Sequence, residues 1–351
     1  MNEIQMALTA WYETHKRELP WRSDTAPYHV WLSEVILQQT RVNQGLDYYL
    51  KFIGRWPTLP DLAQAKEEDV LKMWQGLGYY SRARNLLKCA QQVMRLYGGT
   101  FPADYDKLLR LSGIGNYTAA AIASIAFGLP HAVIDGNVYR VLSRLYDIET
   151  PINKDIGVRL FARLADDLLD REHPGRHNQA LMEFGALHCT PRNPQCEECP
   201  VQSHCLAWAH GTTEQRPVKE KKLLVRTRYF HYLVFSDTNQ NTYLHKREEN
   251  DIWQNLYDFP NIESAKPLSA EEVMETKPFL DLVAENDYVL QRISPPYTHK
   301  LSHQTIIATF FEIKIHGFLL EIQTNSLLLA AEKKLEEYPT PKLIENYISK
   351  N

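Results

Sequence analysis

Apolar residues in the first part of the chain recur three and four positions apart, the period of an α-helix with one buried face. The clearest runs cover residues 63–73, 82–96 and 103–111, and glycine or proline residues separate them. The most apolar stretch, residues 119–129, is far too short to span a bilayer and is typical of a buried helix. The pattern therefore predicts a mainly α-helical bundle.

The later part of the chain has the pattern of strands. Residues 229–235 and 305–313 are rich in aromatic and β-branched side chains, and Asn239-Gln240-Asn241 offers a turn between two such runs. Thr340-Pro341 then precedes a final amphipathic helix. This part is predicted to be an α+β domain.

A stretch from about residue 212 to residue 222 is polar and lacks apolar periodicity, as an interdomain linker does, and we place the linker between the two patterns at residues 212–225. We therefore expect one domain at residues 1–211 and a second at residues 226–351. The length of 351 residues suits two cores, and 44% hydrophobic with 23% charged residues is ordinary for a globular protein. Because the net charge is -4, any contacts with nucleic-acid phosphates must be local.

Four of the five cysteines, Cys189, Cys196, Cys199 and Cys205, lie close enough in sequence to converge on one metal centre. Most four-cysteine zinc sites use two tight pairs, and only one short pair exists here, so the spacing favours a [4Fe–4S] cluster. Disulfides would need an oxidising compartment, and the first residues lack the features of a signal peptide. We expect reduced cysteines in the cytosol, with Cys89 a buried bystander.

Residues 108–121 form a pattern of helix, Gly-x-Gly turn and second helix, with the glycines at Gly113 and Gly115. Glycines let the backbone approach a phosphate closely, and amides at the start of a helix can bind it. This is the helix-hairpin-helix signature. A Gly-x-Gly pair alone is weak evidence, because most such pairs are ordinary turns.

Two carboxylates are candidates for catalysis. Asp135 precedes an apolar-periodic helix, where an Asp is often only an N-cap, but helix amides would also stabilise its ionised form. Glu34 has Val30 and Leu37 as helical neighbours, so desolvation should raise its pKa; the alternative is a solvated surface Glu. A protonated and an ionised acid together form the arrangement that cleaves glycosidic bonds, here of deoxyribose in DNA.

These motifs occur in the order found in the MutY family of adenine DNA glycosylases, and the chain resembles that family along essentially its whole length. The resemblance implies hydrolysis of the N-glycosidic bond of adenine mispaired with 8-oxoguanine or guanine in double-stranded DNA, by a monomer in the cytoplasm, associated with the nucleoid in a bacterium. It is carried by residues 19–22, 33–42, 76–86, 113–115 and 135–138, and by the four clustered cysteines.

The resemblance also assigns the catalytic roles. Glu34 would protonate adenine and position water, Asp135 would stabilise the oxocarbenium-like sugar, and Asn137 would help to hold the site. Tyr117 stands where the related endonuclease III has a Schiff-base lysine, so strand cleavage through a covalent imine is not expected, and the tyrosine would support catalysis.

Adenine must leave the duplex to reach such a pocket. By resemblance, Gln39 and Tyr79 would fill or wedge the gap, and Trp21, Arg22 and Leu37 would border the pocket. Arg82 and Arg84 could contact phosphates or form a solvated helix face. The predicted DNA-contacting residues are Trp21, Arg22, Leu37, Gln39, Tyr79, Arg82, Gly113, Gly115, Ser302 and His303.

The second domain resembles the Nudix-like domain that reads 8-oxoguanine in this family. Ser302 and His303 keep the polar residues of the usual Phe-Ser-His reading loop, while Leu301 replaces the aromatic. No Arg-Glu-x-x-Glu-Glu pattern follows residues 259–263, so pyrophosphohydrolase catalysis is not expected. Ser112 also departs from the family, which usually has proline there, and should loosen the hairpin only slightly.

Two other functions are compatible with these motifs. One is an endonuclease III-like glycosylase for oxidised pyrimidines, and the other is a non-catalytic DNA-binding or Nudix-type scaffold. Tyr117 and the second domain argue against the first, and the coexistence of Glu34 with Asp135 argues against the second.

Overall fold

The computed structural model describes residues 2–220, 225–316 and 327–350. The chain divides into two compact units, one formed by Met1–Ala65 with Asn85–Lys221 and the other by Lys66–Arg84 with Lys222–Asn351. Among the helices of the described residues, none is both long and apolar enough to cross a membrane.

The first part of the chain is helical, which confirms the predicted bundle. The α-helices up to residue 209 are α1 (Glu3–His15), α2 (Pro27–Leu37), α3 (Val42–Arg55), α4 (Leu59–Ala63), α5 (Glu67–Trp74), α6 (Ser81–Tyr97), α7 (Tyr105–Leu109), α8 (Asn116–Ala121), α9 (Gly136–Leu145), α10 (Asp155–Leu168), α11 (Pro174–Leu187) and α12 (Leu206–Ala209). The apolar run at residues 63–73 is not one helix, because α4 ends at Ala63 and the acidic first turn of α5 starts a new helix at Glu67.

The core of the first unit contains apolar side chains from α1, α9, α10 and α11, including Leu8, Val141, Phe161 and Phe184. Helix α2 is different, because its residues from Val30 to Ile36 are all buried. A helix buried on every side carries any polar residue that it contains into the interior.

Helices α7 and α8 and the turn between them form the predicted helix-hairpin-helix. Gly113 has φ +75, and a Cβ there would lie 2.7 Å from the Cβ of Asn85, so both backbone conformation and space require glycine. Gly115 has φ -97 and is the N-cap residue of α8. A Cβ on Gly115 would have no heavy atom within 4 Å, so glycine is not needed there to avoid a clash.

The second unit contains the predicted α+β fold. Its strands are β1 (Arg226–Ser236), β2 (Asn241–Lys246), β3 (Tyr257–Asp258), β4 (Asn261–Ser264), β5 (Asp287–Ile293), β6 (Tyr297–Lys300), β7 (Gln304–His316) and β8 (Leu327–Ala331). The main strand order is β3-β2-β1-β7-β5, while β4, β6 and β8 pair with β1, β7 and β2. The sheet is mixed, because β1 and β7 are parallel and the other pairs are antiparallel.

Helices α13 (Ala270–Met274), α14 (Lys277–Val283) and α15 (Lys342–Ile348) accompany the sheet. Phe279 of α14 packs into a core with Phe235, Phe311 and Ile313 from the two parallel strands. Alternating burial along β7 places every second side chain in the interior over most of its length, as expected for a half-buried strand.

The described part of the predicted linker is folded within the first unit. The amide of Ile152 donates to the carbonyl oxygen of Val218 at 3.1 Å. Arg216 is buried, and its Nη2 donates to Glu149 Oε1 at 2.9 Å. The pairing of Arg216 with acidic residues therefore attaches to the first unit a segment whose polar composition predicted an interdomain linker. Residues 221–224 of that predicted linker lie outside the described residues.

Candidate active site

A cavity of about 210 Å³ opens in the first unit among α2, α8, α9 and α11. It collects side chains that are far apart in sequence. The predicted site residues that line it are Trp21, Arg22, Glu34, Leu37, Tyr117, Asp135 and Asn137. The lining residues not predicted from the sequence include Arg17, Gln179, Met182 and Glu183.

Glu34 lies on buried helix α2 with 9% of its surface exposed. Burial raises the pKa of its carboxyl to about 7, because an ionised carboxylate loses hydration there. The Tyr117 hydroxyl and the Arg22 charge oppose this shift, and the nearby Asp135 charge adds to it. A substantial fraction of Glu34 therefore carries a proton near neutral pH.

Tyr117, at the second position of α8, donates a hydrogen bond from its hydroxyl to Glu34 Oε2. Burial and the neighbouring carboxylates raise the pKa of Tyr117 well above 10, so it stays a protonated donor. Because Tyr117 occupies Oε2, the acidic proton of Glu34 belongs on Oε1.

Asp135 is the N-cap residue of α9. Its Oδ1 accepts a hydrogen bond from the Val138 amide, and its Oδ2 accepts one from Asn137 Nδ2, both at 2.7 Å. These donors stabilise the ionised form, as expected from the sequence. Burial nevertheless outweighs them and raises the pKa of Asp135 above its ordinary value. The amides fix the carboxylate's position, but they do not lower its pKa overall.

Asn137 connects Asp135 to a buried arginine. Arg140 donates from Nη2 to Asn137 Oδ1 at 2.9 Å and from Nε to the carbonyl oxygen of Cys189 at 2.7 Å. A Cβ on Gly185 would lie 2.7 Å from the Cβ of Asn137, so the close approach of α9 and α11 depends on this glycine. The carboxylate is thereby joined by hydrogen bonds to the start of the cysteine-rich loop.

Glu183, on α11, is the main acidic residue of the cavity that the sequence reasoning missed. Its side chain is 1% exposed and forms ion pairs with Arg17 at 2.6 Å and Arg22 at 2.9 Å. Although burial raises the pKa of Glu183, hydrogen bonds from the two arginines lower it to about 2. It is therefore ionised. A charged residue inside the apolar run of α11 was the available sequence signal.

Both predicted intercalating residues lie on strained, exposed turns. Gln39 follows α2 with φ 58, and its side chain is exposed. Tyr79 belongs to the second unit, has φ 48, and is 47% exposed. Non-glycine residues with positive φ are uncommon and often mark functional turns.

Arg82 is buried beneath the turn that carries Tyr79. Its guanidinium stacks over the Trp74 ring at 4.9 Å and donates to the carbonyl oxygens of Leu77 and Gly78 at 3.2 and 3.3 Å. Burial lowers the pKa of Arg82 to about 10, and it still remains charged at neutral pH. In this arrangement it supports the turn and is not a solvated helix face.

Ser302 and His303 are exposed at the turn between β6 and β7 in the second unit. The Leu301 amide donates to the Gln304 carbonyl oxygen at 2.8 Å and closes this turn. Ser302 Oγ lies 3.3 Å from His303 Nδ1. Both side chains are thus available to an external partner.

The four clustered cysteines line one apolar cavity of about 30 Å³ together with Arg144. Burial and the neighbouring thiolates raise the pKa of Cys196 and Cys199, and a bound cationic centre would relieve that mutual repulsion. Arg144 Nη1 also lies 3.3 Å from Cys189 Sγ. The donor set therefore fits an iron–sulfur cluster. Cys89 is buried elsewhere, with its pKa raised by burial.

Within the described ranges, no three His, Cys, Asp or Glu side chains stand close enough to hold a single metal ion. All four clustered cysteines nevertheless line one cavity.

Family comparisons match three segments of the chain. The helix-hairpin-helix superfamily of base excision DNA repair proteins matches residues 32–163. The iron–sulfur binding domain of endonuclease III matches residues 189–205, and a NUDIX domain matches residues 231–350. These matches confirm the helix-hairpin-helix fold and the Nudix-like domain. The chain therefore binds a [4Fe–4S] cluster and DNA.

Individual relatives extend the similarity to most of the chain. An adenine DNA glycosylase from Buchnera aphidicola subsp. Baizongia pistaciae is 35% identical over 301 residues, which is 84% of this chain and 82% of that protein. The Homo sapiens adenine DNA glycosylase is 45% identical over 218 residues, covering 60% of this chain and 40% of that one.

Solved structures give a similar result for the helical part. A thermostable thymine-DNA glycosylase matches with TM-score 0.55 and 28% identity, over 59% of this chain and 95% of that one. A non-covalent endonuclease III–DNA complex matches with TM-score 0.51 over 62% of this chain and 98% of that one. Its 22% identity supports a shared fold only.

Proposed function

Because this chain belongs to the adenine DNA glycosylase family, which makes it a DNA N-glycosylase, we propose that it excises adenine mispaired with 8-oxoguanine or guanine in duplex DNA. The observation that carries the proposal is the pair of acids in one cavity: Glu34, with a pKa of about 7 and a hydrogen bond from Tyr117, and Asp135 at the start of α9. We further propose that the protein acts as a monomer.

Glu34 is the general acid. With Oε2 occupied by Tyr117, its proton on Oε1 passes to the adenine ring as the N-glycosidic bond breaks. The bonding electrons leave with adenine, and positive charge develops on C1′ of deoxyribose. Protonation makes adenine a better leaving group, so the proton and the electron pair both end on the departing base.

Asp135 stabilises the developing sugar cation. Each of its oxygens already accepts one fixed hydrogen bond, so the carboxylate does not have to reorient during the reaction. Asn137 and Arg140 maintain this orientation. The Asp135 carboxylate acts in its ionised form. The Val138 and Asn137 donors stabilise that form, although burial raises the pKa of Asp135 overall.

Water completes the hydrolysis. After adenine leaves, ionised Glu34 accepts a proton from the water that adds to C1′, which restores the acid and yields an abasic site. Tyr117 stays protonated at neutral pH and has no amine with which to form an imine. The proposed enzyme is therefore monofunctional, and strand cleavage needs added alkali.

Cys189, Cys196, Cys199 and Cys205 would hold the [4Fe–4S] cluster. When bound, the cluster supplies a covalent cross-link of the loop between α11 and α12. The chain's own Arg144 holds the end of α9 to this loop by donating to the carbonyl oxygen of Thr190 at 2.7 Å.

DNA contacts complete the proposal. Gln39 and Tyr79 would occupy the space that the extruded adenine leaves in the duplex, since both stand on exposed turns with positive φ. Ser302 and His303 would read the base opposite adenine, and Gly113 and Gly115 would bring backbone amides to a phosphate. Arg82 would hold the Tyr79 turn, with any phosphate contact secondary.

The test uses duplexes that carry adenine opposite 8-oxoguanine, adenine opposite guanine, or thymine glycol. We expect adenine release and abasic sites from the first two, strand breaks only after alkali, and little borohydride-trapped complex. Release of thymine glycol without adenine release would instead support the endonuclease III-like alternative. Strand cleavage without alkali would contradict the monofunctional mechanism.

A further inference from the structure

The segment that carries Tyr79 is held by residues of the sheet domain, although it lies far before that domain in sequence. Residues 66–84 belong to the same compact unit as the sheet. Glu68 forms an ion pair with Lys246 at 2.9 Å and accepts a hydrogen bond from the Tyr257 hydroxyl at 2.7 Å. The Tyr80 hydroxyl donates to the Thr340 carbonyl oxygen at 3.2 Å.

One short turn, residues 253–255, contacts both ends of this segment. Arg84 Nη1 donates to the carbonyl oxygen of Gln254 at 2.8 Å, and Asn255 Nδ2 donates to Glu67 Oε1. Trp253 and Asn255 have φ 62 and 63, so the turn has a specific conformation that few residue types adopt easily. The Gln254 carbonyl oxygen and the Asn255 side chain therefore hold the two ends of the segment on which Tyr79 lies.

The same turn also contacts the strand that leads to Ser302 and His303. Trp253 is only 8% exposed, and its ring meets the His299 ring edge-on with centroids 5.6 Å apart. His299 belongs to β6, which runs directly into the turn at residues 301–303. Residues 253–255 thus touch the element before the lesion-reading turn and the segment that bears the wedge.

We propose that the 253–255 turn couples recognition of 8-oxoguanine to insertion of Tyr79, through Trp253 on His299 and Asn255 on Glu67. This inference rests on the proposed function. Contacts of Ser302 and His303 with 8-oxoguanine hold β6 and His299 against Trp253, and the turn then holds the Tyr79 segment in its inserted position. Guanine provides weaker contacts, so adenine opposite guanine gains less from this coupling.

The test is a donor-acceptor exchange. Asn255→Asp places a second carboxylate against Glu67, and the double variant Asn255→Asp with Glu67→Gln restores a hydrogen bond with the roles reversed. The measurement is single-turnover excision of adenine opposite 8-oxoguanine and opposite guanine. We expect the ratio of the two rates to fall about fivefold in Asn255→Asp and to recover in the double variant.

Asn286→Asp is the matched control, because Asn286 follows α14 in the same unit and its Nδ2 donates to the Val283 carbonyl oxygen at 3.0 Å. It should keep the wild-type ratio. Should Asn255→Asp fail to fold, Asn255→Gly suits the positive φ and removes the amide, and it should lower the ratio similarly.

An unchanged ratio in a folded Asn255 variant, or an equal loss on both substrates, would overturn the coupling. Absence of adenine excision by the wild-type protein would instead be a failure of the proposed function.

Discussion

Replacing Tyr117 with Phe should move the pH dependence of adenine excision to higher pH. The pKa of Glu34 is about 7 because burial raises it, while the hydrogen bond from the Tyr117 hydroxyl lowers it. The ionised acid benefits from this hydrogen bond more than the protonated acid, by about 1 kcal/mol. At 1.36 kcal/mol per unit, removing it should raise the pKa of Glu34 by about 0.7 of a unit.

The assay is the single-turnover excision rate from about pH 5 to about pH 9, under conditions where chemistry limits the rate. Because the protonated acid is the active form, the wild-type rate should fall as the pH rises through about 7. In Tyr117→Phe the midpoint of this fall should lie higher. A small loss of protein stability would not move this midpoint, because it changes the rate at every pH.

The control is Tyr28→Phe. Tyr28 lies on the same helix as Glu34, and its buried hydroxyl donates to the Trp56 carbonyl oxygen at 2.7 Å. Its profile should keep the wild-type midpoint. A Tyr117→Phe midpoint that stays in place or moves to lower pH would refute the assignment of Glu34 as the acid tuned by this hydroxyl.

Three further predictions concern the cluster, the lesion-reading turn and the cost of burying the acid. The purified protein should contain iron and acid-labile sulfide, and the Cys89→Ala variant should have the same iron content, whereas stoichiometric zinc without iron would contradict the cysteine assignment. The double variant Ser302→Ala with His303→Ala should lose about 1–3 kcal/mol of binding or transition-state stabilisation on adenine opposite 8-oxoguanine and little opposite guanine, and equal losses would indicate general positioning. Glu34→Gln should stabilise the fold above pH 7 by about 3 kcal/mol in urea unfolding, because a carboxyl whose pKa is raised from 4.5 to about 7 does not reduce stability below pH 4.5 but reduces it fully above pH 7. A difference in stability between variant and wild type that is the same at low and at high pH would argue against the raised pKa.

Local patterns in the sequence predicted the features that depend on neighbouring residues. The apolar flanks of Glu34 indicated its burial, and the Gly113 turn followed from the chemistry of a positive φ. The N-cap geometry of Asp135 was likewise predictable from the helix that follows it. Such features are determined by residues within a few sequence positions of the site.

Features that depend on distant contacts were not predictable in this way. Glu183 is ionised because Arg17 and Arg22 reach it from more than 160 positions earlier in the chain. Arg82 is buried because its turn folds over Trp74, while its spacing alone was equally typical of an exposed helix face. Periodicity gives the type of each element, but tertiary packing decides which charges are enclosed and by what.

The grouping of residues 66–84 with the sheet domain has the same origin. The helical pattern of this segment matches that of its sequence neighbours, and only contacts such as that between Glu68 and Lys246 associate it with the second unit. Sequence composition indicates where periodicity changes, which is not always where compact units divide.

The central claim is that two acids in one cavity excise adenine, with Asp135 stabilising the sugar cation. The most direct test measures single-turnover excision and DNA binding of Asp135→Asn on duplexes with adenine opposite 8-oxoguanine. The amide retains an oxygen for the Val138 cap but carries no charge, so binding should survive while excision falls by about 100-fold or more. Near-native excision by folded Asp135→Asn would contradict the account and leave Asp135 as a helix cap only.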